Sequence, residues 1–223
     1  MLVFLLTSKS GIVLSLLEVR LIKKVLFDLD GTLWDTQKFH AQIESQLMAT
    51  HGIHVSADDI SDKYAGVKTE RVFMELMGCP QPLAAELSDK KWGMLLPLAK
   101  EAREMCDLRR LFTQLQLRGV ELAIGTASPV MWAQRLLDIN GLYHFFRAES
   151  IVGRDMVQEG KPHPEVWLKA AGNTPLSDCL VVEDGIAGIE AAEAAEIPSV
   201  LLLPKRHPSA YSIRNISDIL DLF

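Results

Sequence analysis

The strongest constraint on this chain is a pattern that recurs four times: a short, apolar, often β-branched run stops abruptly at polar residues, glycine or proline. Val25-Leu26-Phe27 runs into Asp28, with Gly31 close behind. Glu121-Leu122-Ala123-Ile124 runs into Gly125-Thr126, and Cys179-Leu180-Val181-Val182 into Glu183-Asp184-Gly185. Ser199 to Leu203 stops at Pro204. Runs of this length read as buried strands ending in turns. Between them lie helical patterns: Val130 to Ile139 closed by Asn140-Gly141, Pro164 to Ala171 closed by Gly172, and Ile186 to Glu196 closed before Pro198. Strand alternating with helix predicts crossover units and an α/β fold built on a mainly parallel sheet.

One stretch breaks the alternation. Residues 36–107 lack β runs and carry helical spacing instead: Phe39, Ile43 and Leu47 at i, i+4, i+8, then Val72, Phe73, Leu76 and Met77, with further helix suggested by Leu83 to Leu87 and Trp92 to Leu98. This predicts an all-helical insert after the first strand, placed as a cap over the carboxyl end of the sheet, where ligands bind in open α/β folds. The expected division is a core of 21–35 and 108–223, a helical cap of 36–107, and an N-terminal extension, 1–20, of unknown role.

That extension is apolar but interrupted by Lys9 and Glu18, so it fits neither a secretory signal nor a spanning helix, and no membrane association is expected. The 223 residues are 48% hydrophobic and 23% charged, which excludes a disordered or collagen-like chain. A net charge of −6 provides no basic field for nucleic acid. Cys79, Cys106 and Cys179 form no CxxC pair and are odd in number, which fits a reducing, cytoplasmic setting better than a disulfide framework or a zinc site.

Polar residues gather where the apolar runs stop: Asp28-Leu29-Asp30-Gly31-Thr32, Thr126-Ala127-Ser128, Gly160-Lys161-Pro162 in a loop, and Glu183-Asp184. Alternation along an extended chain turns Asp28 and Asp30 to one side. With Glu183 and Asp184 they make an oxygen-rich cluster that repels itself unless a hard cation such as Mg2+ or shared protons neutralise it. Lys161 and Thr126 add a point positive charge and a hydroxyl donor suited to phosphoryl oxygens. A carboxylate can accept the phosphoryl group as an aspartyl-phosphate, and a second can move the proton. Each position also has an ordinary structural reading: a turn-forming Asp-Gly, a Thr126 that caps the helix near Pro129, an exposed loop Lys161. His40 could be a half-exposed packing histidine, Lys90-Lys91 a solvated helix face or a cap lysine, and Trp92, Trp132 and Trp167 core or rim. His144, His163 and His207 read as structural or exposed.

Taken together, Asp28-Leu29-Asp30-Gly31-Thr32, Thr126, Lys161 and Glu183-Asp184 followed by Gly185 and Gly188 resemble the four motifs of the haloacid dehalogenase superfamily, in order, from about Lys23 to the C-terminus. The insert between the first and second motifs looks like the helical-bundle cap of the β-phosphoglucomutase and sugar-phosphatase branch. The resemblance implies a Rossmann-like core. It also implies Asp28 as nucleophile and Asp30 as general acid/base whose carbonyl reaches magnesium, with Asp28, Asp184 and Glu183 at the metal. Thr126 and the backbone of Ala127 and Ser128 would hold the phosphate, and Lys161 would neutralise it. More loosely, Asp35-Thr36, His40 and the Gly66-Val67-Lys68 loop match positions that face the substrate from the cap.

Asp30 argues against dehalogenation, since relatives with that chemistry lack an acid there. A non-catalytic phosphate binder would have lost Asp28, Asp30, Lys161 or Asp184, and none is lost. The expectation is a magnesium-dependent phosphatase of a small soluble ester, with sugar phosphates and phosphoglycolate-like molecules leading, acting as a monomer or weak dimer. The alternative is β-phosphoglucomutase-type phosphoryl transfer.

Overall fold

Along the chain the elements are β1 (Lys24–Phe27), α1 (Gln37–Ala49), α2 (Ala57–Tyr64), α3 (Thr69–Met77), α4 (Gln81–Leu95), α5 (Leu108–Leu117), β2 (Glu121–Gly125), α6 (Val130–Ile139), β3 (Ile151–Val152), α7 (Glu165–Ala171), β4 (Cys179–Glu183), α8 (Ile186–Ala194), β5 (Ser199–Leu202) and β6 (Ala210–Ile213). The structure, a computed structural model, describes residues 21–202, 204, 205 and 207–223, so the expected extension of 1–20 lies outside the described residues.

The strands form one six-stranded sheet in the order β3-β2-β1-β4-β5-β6, with every pair parallel. Parallel strands are buried on both faces, hence the unbroken apolar runs. The faces separate residue by residue. Val25, Phe27, Leu122, Ile124, Leu180 and Val182 join the cluster with Phe112 of α5 and Trp132 of α6. Leu26, Ala123 and Val181 point the other way, onto Trp167 and Ala170 of α7 and Ala192 of α8. Helices therefore cover both faces, and the ends of β1, β2 and β4 converge where the strand order reverses, the usual place for a ligand site.

The expected strands are all present, with Leu203 outside the described residues. β3 and β6 were not legible: β3 has two residues, and β6 is a part-exposed edge strand, Ala-Tyr-Ser-Ile, with no continuous apolar run. The helix expected over 186–196 ends at Ala194, because Glu196 turns left-handed at φ 58° ahead of Pro198.

Between β1 and α5 the chain holds α1 to α4 and a six-residue 3-10 turn, Leu96–Glu101, and no ladder strand. Leu83 to Leu87 and Trp92 share one helix, α4. The two connecting segments run side by side, the Asp35 amide donating to Arg103 O at 2.8 Å and the Met105 amide to Leu33 O at 2.9 Å. Helix starts and stops follow local chemistry. Asp107 accepts from the Arg110 amide at 3.0 Å to open α5, a cap worth about 1 kcal/mol, and Gly78, left-handed at φ 62°, closes α3. No helix among the described residues is long and apolar enough to cross a membrane. Cys79, Cys106 and Cys179 carry free thiols, and burial pushes the last two up to about 11.

Candidate active site

Asp28 prolongs β1 by one residue, its amide donating to Val182 O of β4 at 2.9 Å. Its buried carboxylate accepts from Lys161 Nζ at 2.6 Å. Lys161 also donates to Glu183 Oε1 at 2.5 Å and stands 4.3 Å from the centre of the Trp167 ring, so the loop lysine reading does not hold: the ammonium is buried. Burial alone would lower the Lys161 ammonium, but Asp28 and Glu183 raise it above its ordinary value. Burial, reinforced by Glu183 and Asp184, pushes the Asp28 carboxyl well above the carboxylate range despite Lys161.

Glu183 ends β4 and turns back. Its Oε1 takes Lys161, and its Oε2 accepts from the amides of Asp184 at 2.9 Å and Gly185 at 2.7 Å. A Cβ on Gly188 would stand 1.8 Å from Glu183 Oε1, so only glycine fits at that point of α8. Asp184 lies close against the backbone of Gly31, which is itself left-handed at φ 92°, and accepts from Thr32 Oγ1 at 3.2 Å. Burial and Glu183 raise its carboxyl to about 7, against Lys205, Lys161 and the Thr32 hydroxyl.

Ligand oxygens of Asp28, Glu183 and Asp184 lie within 4.8 Å of one another. Three carboxylates and one ammonium leave two negative charges in excess, and the donor set is all oxygen, which fits a hard divalent cation such as magnesium. Both Glu183 oxygens already accept hydrogen bonds, whereas Asp28 Oδ2 and Asp184 Oδ2 accept none among the described residues. The Asp30 carboxylate is outside the trio, although it lines the same cavity.

Asp30 instead accepts four donors. Thr36 Oγ1 (2.5 Å), His40 Nε2 (3.1 Å) and Trp132 Nε1 (2.8 Å) reach Oδ1, and Ser128 Oγ (2.5 Å) reaches Oδ2. Burial alone would raise this carboxyl. The His40 charge and hydrogen bond, with the Ser128 and Thr36 hydroxyls, overcome that and hold it well below the carboxylate range. Thr36 is buried against Asp30 and does not line the cavity, whereas His40 lines it and is buried, not half-exposed.

Thr126 is buried at the end of β2 and lines the cavity; its Oγ1 accepts from the Ser128 amide at 3.0 Å, so it holds its own turn as well. That bond occupies the Ser128 amide expected to face phosphate, although Ala127 and Ser128 both line the cavity. Asp35 and Lys68 do not line it: Asp35 pairs at the surface with Lys38, and the Lys68 side chain lies against Gly160 while Gly66, Val67 and Thr69 face inward. His144 and His163 are exposed and His207 half-buried.

The cavity encloses about 440 Å³ including its mouth, between Asp28, Asp30 and Thr126–Ser128 on one side and α1, α3 and α4 on the other. Two residues at the site had other roles in the sequence reading. Trp132, read as core or rim, is buried and also donates to Asp30; its place in the first turn after a strand-end Thr-Ala-Ser was the available signal. Lys91 is not on a solvated face: it is buried against Glu44 and Thr69 inside the insert, and only Lys90 is at the surface.

The family model of haloacid dehalogenase-like hydrolases matches residues 25–202. The chain belongs to this family. It is 30% identical over 187 residues to fructose-1-phosphate phosphatase YqaB of Escherichia coli (strain K12), covering 79% of this chain and 94% of the relative. Hexitol phosphatase B of the same organism is 25% identical over 191 residues, covering 82% and 84%. In fold it matches β-phosphoglucomutase from Clostridium difficile (TM-score 0.78, 20% identity, 89% and 93% covered) and CbbY from Rhodobacter sphaeroides in complex with phosphate (TM-score 0.77, 20% identity, 89% and 96% covered).

Proposed function

We propose that this chain is a magnesium-dependent phosphatase that hydrolyses a small phosphomonoester, a sugar phosphate or similar, through an aspartyl-phosphate on Asp28. The core is 21–35 with 108–223 and the cap is 36–107. The observation that carries this reading is the division of labour between two carboxylates on one cavity: Asp28 sits with Lys161 and the acidic trio, Asp30 in a cradle of four donors. Relatives named as phosphatases support it.

An Asp28 oxygen bonds to phosphorus as the ester P–O bond breaks, and Asp30 gives its proton to the departing oxygen. Asp30 then takes a proton from water, whose oxygen attacks phosphorus. The Asp28–phosphorus bond breaks, returning the carboxylate and inorganic phosphate. An arriving phosphate dianion sets like charge beside Asp30 and favours the protonated form that the first step requires. Lys161 steadies Asp28, and Thr126 with the Ala127 amide receives phosphoryl oxygens. Asp28 and Asp184, with Glu183 beside them and the Asp30 carbonyl, would hold magnesium, which would supply charge neutralisation there.

The test is a panel of phosphate esters with magnesium, read for free phosphate. Release that EDTA abolishes reversibly and Asp28→Asn abolishes outright is expected. Conversion of β-glucose 1-phosphate, primed with a bisphosphate, to glucose 6-phosphate without free phosphate would overturn hydrolysis in favour of the mutase.

A further inference from the structure

The cap half of the cavity carries its own charge chemistry. Lys91 of α4 is buried and donates to Glu44 Oε1 of α1 at 2.6 Å and to Thr69 Oγ1 of α3 at 2.7 Å. All three residues line the cavity, and Lys91 is the one lysine or arginine among its described lining residues. Its charge is therefore matched one to one. Another cation, Arg154, lies over the neighbouring Trp92 ring and is matched in the same way by Glu70, with Ser88 as a further acceptor.

A buried ammonium with a carboxylate beside it offers no net field to an anion. It does keep unused valence. The ammonium has three N–H donors and spends two here, and Glu44 Oε2 accepts nothing among the described residues. Trp92, also lining the cavity, has a buried Nε1–H with no partner. An unpaired buried donor is costly, and hydroxyl groups, which both donate and accept, satisfy such a set without adding charge.

Resting on the phosphatase reading, we infer that Glu44, Lys91 and Trp92 select for an uncharged, hydroxyl-bearing far end, so that the substrates are monophosphates of neutral polyols or sugars. Esters with a second anionic group are rejected. A carboxylate or second phosphate meets Glu44 as closely as it meets Lys91, and it must also be desolvated.

The matched probes are sorbitol 6-phosphate and 6-phosphogluconate, which share six carbons and differ at the far end, CH2OH against carboxylate. The wild type should favour sorbitol 6-phosphate at least tenfold in kcat/KM. Glu44→Gln leaves Lys91 unmatched and should move the ratio at least tenfold toward 6-phosphogluconate, and Glu44→Gln/Lys91→Gln should return it. A purely structural role for the pair lowers both rates in parallel and leaves the ratio fixed. Calorimetric binding of both probes to Asp28→Asn with magnesium reads the same preference without turnover. Release of phosphate from no ester sinks the phosphatase reading, yet tenfold tighter sorbitol 6-phosphate binding there still upholds the charge selection. Equal handling of the two probes, or binding of neither, overturns it.

Discussion

Replacing Lys161 by Met isolates the electrostatics of the nucleophile's surroundings. Met keeps an unbranched side chain against Trp167 and deletes the charge that Asp28 and Glu183 share at 2.6 and 2.5 Å. Breaking a buried pair costs about 3–5 kcal/mol, because the partner charges stay desolvated. That cost falls on the carboxyls left without their cation and pushes Asp28 and Asp184, already raised by burial and like charge, further upward. A carboxyl raised in the folded state binds more protons there than when unfolded, so stability falls as pH climbs from the unfolded value toward the folded one. In the wild type this already holds for Asp184, between the ordinary value of an aspartate and about 7; the variant steepens and extends the slope. Urea unfolding in EDTA should give wild type and variant similar stabilities near pH 5 and a gap of about 3–5 kcal/mol at pH 8. A gap of one size at both pH values would refute the charge argument and assign the loss to packing.

Magnesium should raise the melting temperature more at pH 8 than at pH 6, because the Asp184 carboxyl near 7 must lose its proton to ligate; a pH-independent increment in thermal scans contradicts this. Gly188→Ala places a Cβ 1.8 Å from Glu183 Oε1 and should cost several kcal/mol, on the order of an overpacked core site, seen as a lower urea midpoint with turnover reduced alongside. Ser128→Ala removes the sole donor on Asp30 Oδ2 among the described residues, a charge-assisted bond worth about 1.5–3 kcal/mol. Its pH–rate profile should move upward by about one to two units, whereas a Ser128 that serves only packing leaves the profile in place.

The sheet was legible because parallel strands buried on both faces are written as unbroken apolar runs, as in Val25-Leu26-Phe27. β6 was not, since a part-exposed edge strand lacks that signature. The trio at the strand ends was legible for a related reason: Asp28 and Asp184 each follow a strand directly and Glu183 ends one, so chain position fixes spatial position. The insert gave no such handle. Lys91 sits beside Lys90 in a charged stretch of α4, and only the packing of α1 and α3 against that helix decides that Lys91 turns inward to Glu44 and Thr69 while Lys90 meets Glu86 at the surface.

Asp28 and Asp30 illustrate how little separation is needed for two carboxylates to diverge. They are two residues apart and line one cavity, yet burial and like charge raise the first, while the second is lowered by donors that outweigh its burial. Those donors come from both sides of the seam: Thr36 and His40 from the start of the insert, Ser128 and Trp132 from the segment after β2. The sequence pattern Asp-Leu-Asp carries the pairing but not this asymmetry, because three of the four groups that create it are more than six residues away. A low Asp30 is thus a property of insert and core packed together: with α1 displaced, Asp30 Oδ1 keeps only the Trp132 indole, and the carboxyl moves up toward the range where it holds a proton.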